Sequence, residues 1–204
     1  MTPTSRATRI GVFGGTFDPV HRGHVLVADE CAVALDLDLV LMIPSFRPPH
    51  RPEPQASASE RLAMVRLAVE GHPRLRASDI EVIRAGTSYT VDTIRALAAE
   101  NPAADLTLLL GWDAAQEFSQ WHDAAEIARL ARVAVFNRSG AGDSGSGHLR
   151  DLGLPAEAVY VEVSSPLLSA TSVRDILTQE GAGEDLLPPA VASFIRDRGI
   201  YQEK

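Results

Sequence analysis

Lysine and cysteine are almost absent from this sequence. The only lysine is Lys204 and the only cysteine is Cys31. Because one thiol cannot form an internal disulfide, the composition fits a reducing compartment, and Cys31 is expected to be a small buried residue of a helix. Coding bias alone would explain the shortage of lysine. Its chemical consequence is that any phosphate-binding role must fall to arginine or histidine.

The sequence also lacks a long apolar run and an excess of positive charge. No stretch of about 18 apolar residues is available to cross a membrane, and the opening MTPTSRATR contains no apolar signal-peptide segment. The net charge of -8 disfavours a nucleic-acid-binding surface. These absences predict a soluble, cytoplasmic protein with neither membrane nor nucleic-acid partners, and they leave open whether it forms a homo-oligomer.

What the sequence does contain is an alternation of strand and helix patterns. Short apolar runs predict strands at 9–13, 38–43, 79–84, 105–111, 133–137 and 158–163. Periodic or capped segments predict helices at 22–35, 57–71, 88–101, in pieces over 113–131, and at 170–180 and 189–198. This alternation predicts an α/β fold, a mostly parallel sheet with helices on both faces. We expect one domain over 1–204, with flexible segments at 1–8 and 139–147.

The stretch GGTFDPVHRGH lies where the first predicted strand gives way to the first predicted helix. Gly14 and Gly15 allow a tight turn and a close approach of the backbone to a ligand. His21 and His24 are three residues apart, so they share one face at the start of the helix, where the backbone N–H groups favour an anion. The stretch fits neither a P-loop nor the dinucleotide fingerprint. Zinc is disfavoured because no cysteine partner and no H-E-x-x-H pattern accompany the histidines.

A second unusual stretch is PSFRPPHRPEPQ, residues 44–55. Its prolines exclude regular structure, and it carries Arg47, His50 and Arg51 directly after a predicted strand. In open α/β sheets, ligands bind outside the carboxyl ends of the strands. A stiff basic loop there would suit a lid over a ligand. The alternative is a surface connector with solvated charges.

A third motif, SATSVR at 169–174, opens the helix predicted at 170–180. Ser169 and Thr171 offer hydroxyl groups at a helix start, and Arg174 lies one turn further on, within reach of a phosphate. Ala170 contributes no side-chain donor. Taken alone, the motif would be an ordinary capped helix.

Together these motifs resemble a known family. GGTFDPVHRGH is similar to the signature of the nucleotidyltransferase superfamily, and SATSVR resembles its second motif. That resemblance implies a Rossmann-like doubly wound sheet and transfer of a nucleotidyl group to a phosphorylated acceptor. The stretches IPSFRPPHR, SYTVDTI, GWDAAQEFSQW and LLPPAVASFIRDRGIY look like those of nicotinate-nucleotide adenylyltransferases. The match runs from about residue 9 to 201.

The resemblance implies that ATP and nicotinate mononucleotide react to give deamido-NAD and pyrophosphate, a step in NAD synthesis. The acceptor phosphate is already anionic, so catalysis depends on positioning and charge neutralisation rather than on a strong base. Mg²⁺ is expected to arrive on the ATP phosphates and to need few protein ligands, so no metal site is predicted in the chain itself. The residues implied in catalysis are His21, His24 and Arg174.

The resemblance also implies two sets of binding residues. Those for ATP are Gly14, Gly15, Thr16, Phe17, His21, His24, Gly111, Asp113, Ser169, Thr171 and Arg174. Those for nicotinate mononucleotide are His50, Arg51, Tyr89, Thr90, Asp113 and Trp121.

Individual roles follow from the chemistry of these side chains. Trp121 would stack on the pyridine ring, unless it is a core residue. The helix beginning at Tyr89 and Thr90 would bind the nicotinate carboxylate with its N–H groups. Asp113 would bind ribose, and Arg51 with His50 the acceptor phosphate. Asp18 is expected to brace the loop rather than to touch a substrate, and Trp112 receives no role.

Three alternatives remain. The acceptor could be nicotinamide mononucleotide, in a dual-specific enzyme, or phosphopantetheine. The third alternative is a nucleotide-binding sensor without activity, because the same fold serves many functions.

Overall fold

The computed structural model describes residues 6–49, 52–138, 149, 152–165, 168–178 and 183–202. Within them lies one sheet of six parallel strands in the order β3-β2-β1-β4-β5-β6. The strands are β1 (Arg9–Gly15), β2 (Leu39–Pro44), β3 (Leu75–Ala77), β4 (Asp105–Gly111), β5 (Arg132–Arg138) and β6 (Val159–Val163). This is a doubly wound order that reverses direction between β1 and β4.

Eight α-helices connect or flank the described strands. They are α1 (Arg22–Ala34), α2 (Ala58–Ala68), α3 (Ile80–Arg84), α4 (Thr90–Glu100), α5 (Trp112–Gln116), α6 (Ala124–Leu130), α7 (Ala170–Leu177) and α8 (Pro189–Arg198). Short 3-10 turns lie at Phe118–Gln120 and Glu184–Leu186. In the part of the chain that the structure describes, no helix is both long and apolar enough to cross a membrane.

The helices cover both faces of the sheet, as the alternation of strands and helices predicts. Strand β1 divides its side chains between two hydrophobic clusters. Phe13 packs with residues of α1, α2 and α8, whereas Ile10 and Val12 pack with residues of α4 and α6. Cys31 is fully buried in the first cluster, as expected of a small apolar residue. The side chains of β1 are apolar on both faces of the sheet because both faces are covered by helices.

The prediction of a strand at 79–84 is wrong. The edge strand is Leu75–Ala77, which pairs with β2, and Ile80–Arg84 forms the short helix α3. A short apolar run does not distinguish strand from helix by its periodicity. Ile83 is largely exposed and Glu81 is buried, which is the reverse of what the hydrophobic pattern suggests.

Other predicted elements agree with the structure to within a few residues, and the capping box of α2 is confirmed. The Ser57 hydroxyl accepts a hydrogen bond from the Glu60 amide, while the Glu60 carboxylate accepts one from the Ser57 amide. At the start of the described chain, Arg6 contacts Asp38 and the Thr8 carbonyl accepts from the Asp105 amide. The first five residues and the loop expected at 139–147 lie outside the described residues.

Candidate active site

A cavity of about 570 Å³ opens at the carboxyl ends of the central strands. It lies where the strand order reverses, the position at which doubly wound sheets bind ligands. The predicted site residues on its wall are Gly14, Gly15, Thr16, Phe17, His21, His24, Thr90, Gly111, Asp113, Trp121 and Ser169. The fold thus brings residues that are far apart in the sequence to one crevice.

Three predicted site residues that the structure describes, Tyr89, Thr171 and Arg174, do not line the cavity. Tyr89 adjoins the lining residue Thr90, and Thr171 and Arg174 belong to the helix that follows the lining residue Ser169. His50 and Arg51 lie outside the described residues, and their predicted contacts with the acceptor phosphate stay predictions.

The glycine turn presents bare backbone to the cavity. A Cβ atom at Gly14 would have no neighbour within 4 Å, so the space beside it is open to a ligand. At Gly15 a Cβ would lie 3.0 Å from the Phe17 ring, so a side chain there would displace that ring. Phe17 in turn packs edge-on against His24, with ring centroids 5.0 Å apart. The Phe17 ring therefore fills the space beside Gly15 and contacts His24.

The two histidines stack at the amino end of α1. Their ring centroids lie 3.7 Å apart, and His21 is fully buried while it lines the cavity. The Nδ1 atom of His24 accepts a hydrogen bond from the His21 amide at 3.3 Å. A neutral imidazole that accepts at Nδ1 carries its proton on Nε2. His24 therefore keeps Nε2–H as a donor at a helix end that already favours anions.

Asp18 braces the loop, as the sequence predicts. Its buried carboxylate accepts hydrogen bonds from the amides of Gln55 and Ala56, at 2.9 and 3.0 Å, and from the Tyr201 hydroxyl at 2.6 Å. Burial, followed by the hydrogen bond to Asp18, raises the pKa of Tyr201, so its hydroxyl stays a donor. The carboxylate is thereby occupied by the protein's own donors.

The second motif is connected to the first through Arg174. Ser169 caps α7, its hydroxyl accepting from the Ser172 amide at 3.0 Å. The Arg174 guanidinium donates to the Asp18 backbone carbonyl at 2.7 Å and lies 3.7 Å from the Asp18 carboxylate. Thr171 accepts a longer hydrogen bond from the same guanidinium. Arg174 thus joins α7 to the loop that contains Asp18.

The opposite wall of the cavity is built from α4 and the turn after α5. Tyr89 is the N-cap of α4 and Thr90 its first residue, as predicted. Trp121 is half-buried, lines the cavity and packs near Phe118, with ring centroids 5.8 Å apart. The Tyr89 ring lies 4.7 Å from the ring of the exposed His122. Trp121 therefore has one apolar side supported by the core and another turned to the cavity.

Sequence reasoning misses two polar residues of this wall. Glu81 is buried and accepts a hydrogen bond from the Thr93 hydroxyl at 2.7 Å, and both residues line the cavity. Burial raises the pKa of the Glu81 carboxyl. Ser45 is also buried and lines the cavity, and its hydroxyl has no hydrogen-bond partner among the described residues. Glu81 is missed because the pattern at 79–84 predicts a strand. Ser45 is missed because a serine that follows a strand is too common to indicate a site.

The described residues contain no group of three or more histidine, cysteine, aspartate or glutamate side chains that could hold a metal ion.

Comparisons with known proteins give the site a context. Residues 12–176 match the cytidylyltransferase-like family. A probable nicotinate-nucleotide adenylyltransferase of Synechococcus sp. (strain JA-3-3Ab) is 40% identical over 202 residues, which cover 98% of this chain and 97% of the relative. One from Gloeobacter violaceus is 40% identical over 197 residues, 95% of this chain and 96% of the relative.

The fold is shared with a solved structure, Plasmodium falciparum nicotinic acid mononucleotide adenylyltransferase complexed with NaAD. The TM-score is 0.78 over 95% of this chain and 97% of that chain, at 15% sequence identity. At that identity the likeness concerns the fold alone, whereas the full-length relatives carry the assignment to a family. The chain therefore belongs to the cytidylyltransferase-like family and, within it, to the nicotinate-nucleotide adenylyltransferases.

Proposed function

We propose that this protein transfers AMP from ATP to nicotinate mononucleotide and releases pyrophosphate, a reaction that forms deamido-NAD for NAD synthesis. The observation that carries the proposal is the single cavity that joins the histidine pair at the amino end of α1 to the amino end of α4. One helix start suits the ATP phosphates and the other suits a carboxylate. The names of the full-length relatives support the same reaction.

In the proposed reaction an oxygen of the acceptor phosphate attacks the α-phosphorus of ATP. The new oxygen–phosphorus bond forms as the bond to the β-phosphate oxygen breaks, and pyrophosphate leaves with that electron pair. Nε2–H of His24 donates to the phosphate oxygens on which negative charge accumulates. Because the attacking phosphate is already ionised, the chain needs to orient two anions and neutralise their charge rather than remove a proton.

The metal belongs to the ATP substrate in this proposal. The described residues offer no cluster of acidic and histidine ligands, and they fit a Mg²⁺ ion that is held by phosphate oxygens and water. Ser169, Thr171 and Arg174 are proposed to hold the β- and γ-phosphates, which requires Arg174 to exchange its bond with the Asp18 carbonyl for a phosphate.

The acceptor is proposed to lie against α4. The first N–H groups of α4, at Thr90 and beyond, would bind the nicotinate carboxylate, and Trp121 would stack on the pyridine ring. The Ser45 hydroxyl is buried beside the cavity and is not paired with any residue that the structure describes, so it would serve as a donor for an oxygen of the acceptor. Asp113 would take ribose hydroxyls. With a single cysteine in the chain, we also propose the cytoplasm as its location.

Pyrophosphate release with ATP and Mg²⁺ tests the proposal, with nicotinate and nicotinamide mononucleotides compared side by side. We expect kcat/KM to be about 100-fold or more higher for the acid, a difference of about 2.7 kcal/mol, because only the acid offers a negative charge to the amino end of α4. A ratio near one would make the enzyme dual-specific and remove the carboxylate site. If only phosphopantetheine supported release, the protein would be a phosphopantetheine adenylyltransferase. If no acceptor supported release, the remaining interpretation would be a nucleotide-binding sensor.

A further inference from the structure

Arg61, on α2, is buried beneath the active site. Only 1% of its surface is exposed, and its guanidinium donates to three backbone carbonyls. Nε binds the carbonyl of Ala56 at 3.1 Å, Nη1 that of Thr16 at 2.7 Å, and Nη2 that of Phe46 at 3.1 Å. One planar side chain thus joins three separate positions of the main chain.

Burying the Arg61 guanidinium costs more free energy than burying an apolar side chain of similar size. Among the described residues no carboxylate lies within ion-pair distance of the Arg61 guanidinium, although Asp18 and Glu81 act on it from further away. Burial lowers the pKa of Arg61, yet a guanidinium remains charged in proteins. A buried charge without an ion-pair partner is strongly destabilising unless hydrogen bonds satisfy it, and an apolar side chain would pack without that penalty. The guanidinium therefore has a use beyond packing.

Two of the three carbonyls belong to loops that border the cavity. Thr16 lies in the turn Gly14–Phe17, on the side proposed for ATP, and we call this turn the nucleotide loop. Phe46 lies in the segment Ser45–Pro49, from which Ser45, Pro48 and Pro49 line the cavity, and we call this segment the acceptor loop. The two loops are already joined where they begin, because the Ser45 amide donates to the Gly15 carbonyl at 2.9 Å. Arg61 joins them a second time, at Thr16 and Phe46, from the side of α2.

The acceptor loop is also fixed from its other side. The Phe46 amide donates to the Ser88 hydroxyl at 2.9 Å, and the Ser88 amide donates to the Arg47 carbonyl at 2.9 Å. Ser88 directly precedes Tyr89, the N-cap of α4. A displacement of Phe46 would therefore be felt both at the nucleotide loop, through Arg61, and at the amino end of α4, through Ser88.

We propose that Arg61 is a positioning residue that sets the separation of the nucleotide loop from the acceptor loop, and with it the distance between the acceptor phosphate and the α-phosphorus. This inference rests on the proposed function for the identity of the two substrates. A lysine in place of Arg61 keeps the charge but is a point donor, so it cannot bridge the carbonyls of Thr16 and Phe46 with the same geometry. Errors of about 1 Å in the approach of two reactants lower rates about 100-fold.

Steady-state kinetics of Arg61→Lys test the proposal. We expect kcat to fall about 10- to 100-fold, while KM for ATP changes less than about threefold, because each loop can still bind its substrate. Val65→Ala is the matched control, since Val65 is buried on the same helix and touches neither loop through a hydrogen bond. It should lower Tm but keep kcat within about twofold of the wild type. The proposal is overturned if Arg61→Lys keeps its kcat, or if Val65→Ala loses as much activity at the same loss of Tm.

Amide hydrogen exchange provides a second readout that does not need an acceptor. In the wild type, ATP with Mg²⁺ should slow exchange of the Phe46 amide by at least about fivefold, because ordering of the nucleotide loop reaches Phe46 through Arg61. In Arg61→Lys that slowing should become at least about twofold smaller, because only the bond between the Ser45 amide and the Gly15 carbonyl still joins the loops, whereas slowing within the nucleotide loop should remain. Unchanged exchange at Phe46 in the wild type, with slowed exchange at the nucleotide loop, would refute the connection.

The two proposals can fail separately. If the wild type failed to release pyrophosphate with every acceptor tested, the proposed reaction would be wrong. Hydrogen exchange at the Phe46 amide would still decide the role of Arg61. If the wild type were active and both readouts of Arg61→Lys matched those of Val65→Ala, the reaction would stand and the positioning role would be abandoned.

Discussion

At the scale of single residues, the backbone selects a tautomer of the His24 imidazole by holding one of its nitrogens. The His21 amide donates to Nδ1, so the proton of the neutral ring lies on Nε2. The neighbouring His21 ring stacks on it, and both rings belong to residues that line the cavity. An imidazole in this tautomer can donate a hydrogen bond from Nε2.

His24→Ala should lower kcat at least about 100-fold, or about 2.7 kcal/mol of transition-state stabilisation, because the donor to the charged phosphate oxygens is lost. The measurement is steady-state pyrophosphate release, with Tm recorded for each variant. His72→Ala is a suitable control, since His72 is half-buried, faces Asp29 and does not line the cavity. A fully active His24→Ala protein would remove the central assignment of the mechanism.

Tyr201 provides a second prediction at this scale. Tyr201→Phe removes the hydroxyl that donates to the buried Asp18 carboxylate, and the carboxylate loses one of its donors. We expect the free energy of unfolding to fall by about 1–3 kcal/mol, as for other buried charged groups that lose a partner.

Urea titrations of Tyr201→Phe beside Tyr160→Phe would measure this effect. The Tyr160 hydroxyl makes no hydrogen bond to a described residue, so its loss should change stability by less than about 0.5 kcal/mol. Equal losses in the two variants would mean that the bond between Tyr201 and Asp18 contributes nothing.

At the scale of elements, α2 shows how local chemistry positions a functional side chain. Its capping box fixes the start of the helix, and Arg61 follows one residue after Glu60. The hydrogen bonds from Ser57 lower the pKa of the Glu60 carboxyl. A carboxyl whose pKa is lowered by folding adds stability above its unfolded pKa, and that stability is lost as the pH falls through the lowered folded value.

Glu60→Gln should therefore be less stable than the wild type by about 0.5 kcal/mol near pH 7, and the difference should vanish in acid, where the wild-type carboxyl is also neutral. Urea titrations across the acid range would measure it. Ser57→Ala is the comparison, because it leaves the Glu60 amide without its acceptor at every pH, so its cost of about 1 kcal/mol should persist. A difference between Glu60→Gln and the wild type that is independent of pH would contradict this account.

The elements also show where sequence reasoning stops. The strand at 105–111 and the capped start of α2 follow from local patterns, which the structure reproduces. The segment Ile80–Arg84 does not, because α3 buries the polar Glu81 and exposes the apolar Ile83. That inversion depends on Thr93, which lies on another helix and binds the Glu81 carboxylate. Periodicity within one segment cannot contain such information.

At the scale of the whole molecule, the parallel sheet and the position of the site could be predicted from the sequence. Strands that alternate with helices lead to a doubly wound sheet, and ligands of such sheets bind where the strand order reverses. The hydrogen bonds of Arg61 to Thr16 and Phe46 could not be predicted from the sequence, because their acceptors are backbone carbonyls, which every residue has. Ser45 could not be predicted either, since only the structure shows that its hydroxyl is buried beside the cavity with no partner in the described part of the chain.

The bond between Asp18 and Tyr201 has a consequence for synthesis on the ribosome. The two residues are 183 positions apart, so at about 5–20 residues per second roughly 10–40 s pass between their incorporation. During that interval the nascent chain already contains Asp18, which directly follows the nucleotide loop, but lacks the hydroxyl that Asp18 binds in the folded protein. The bond that fixes Asp18 is therefore among the last contacts to form, and a chain released early would lack it beside its histidine pair.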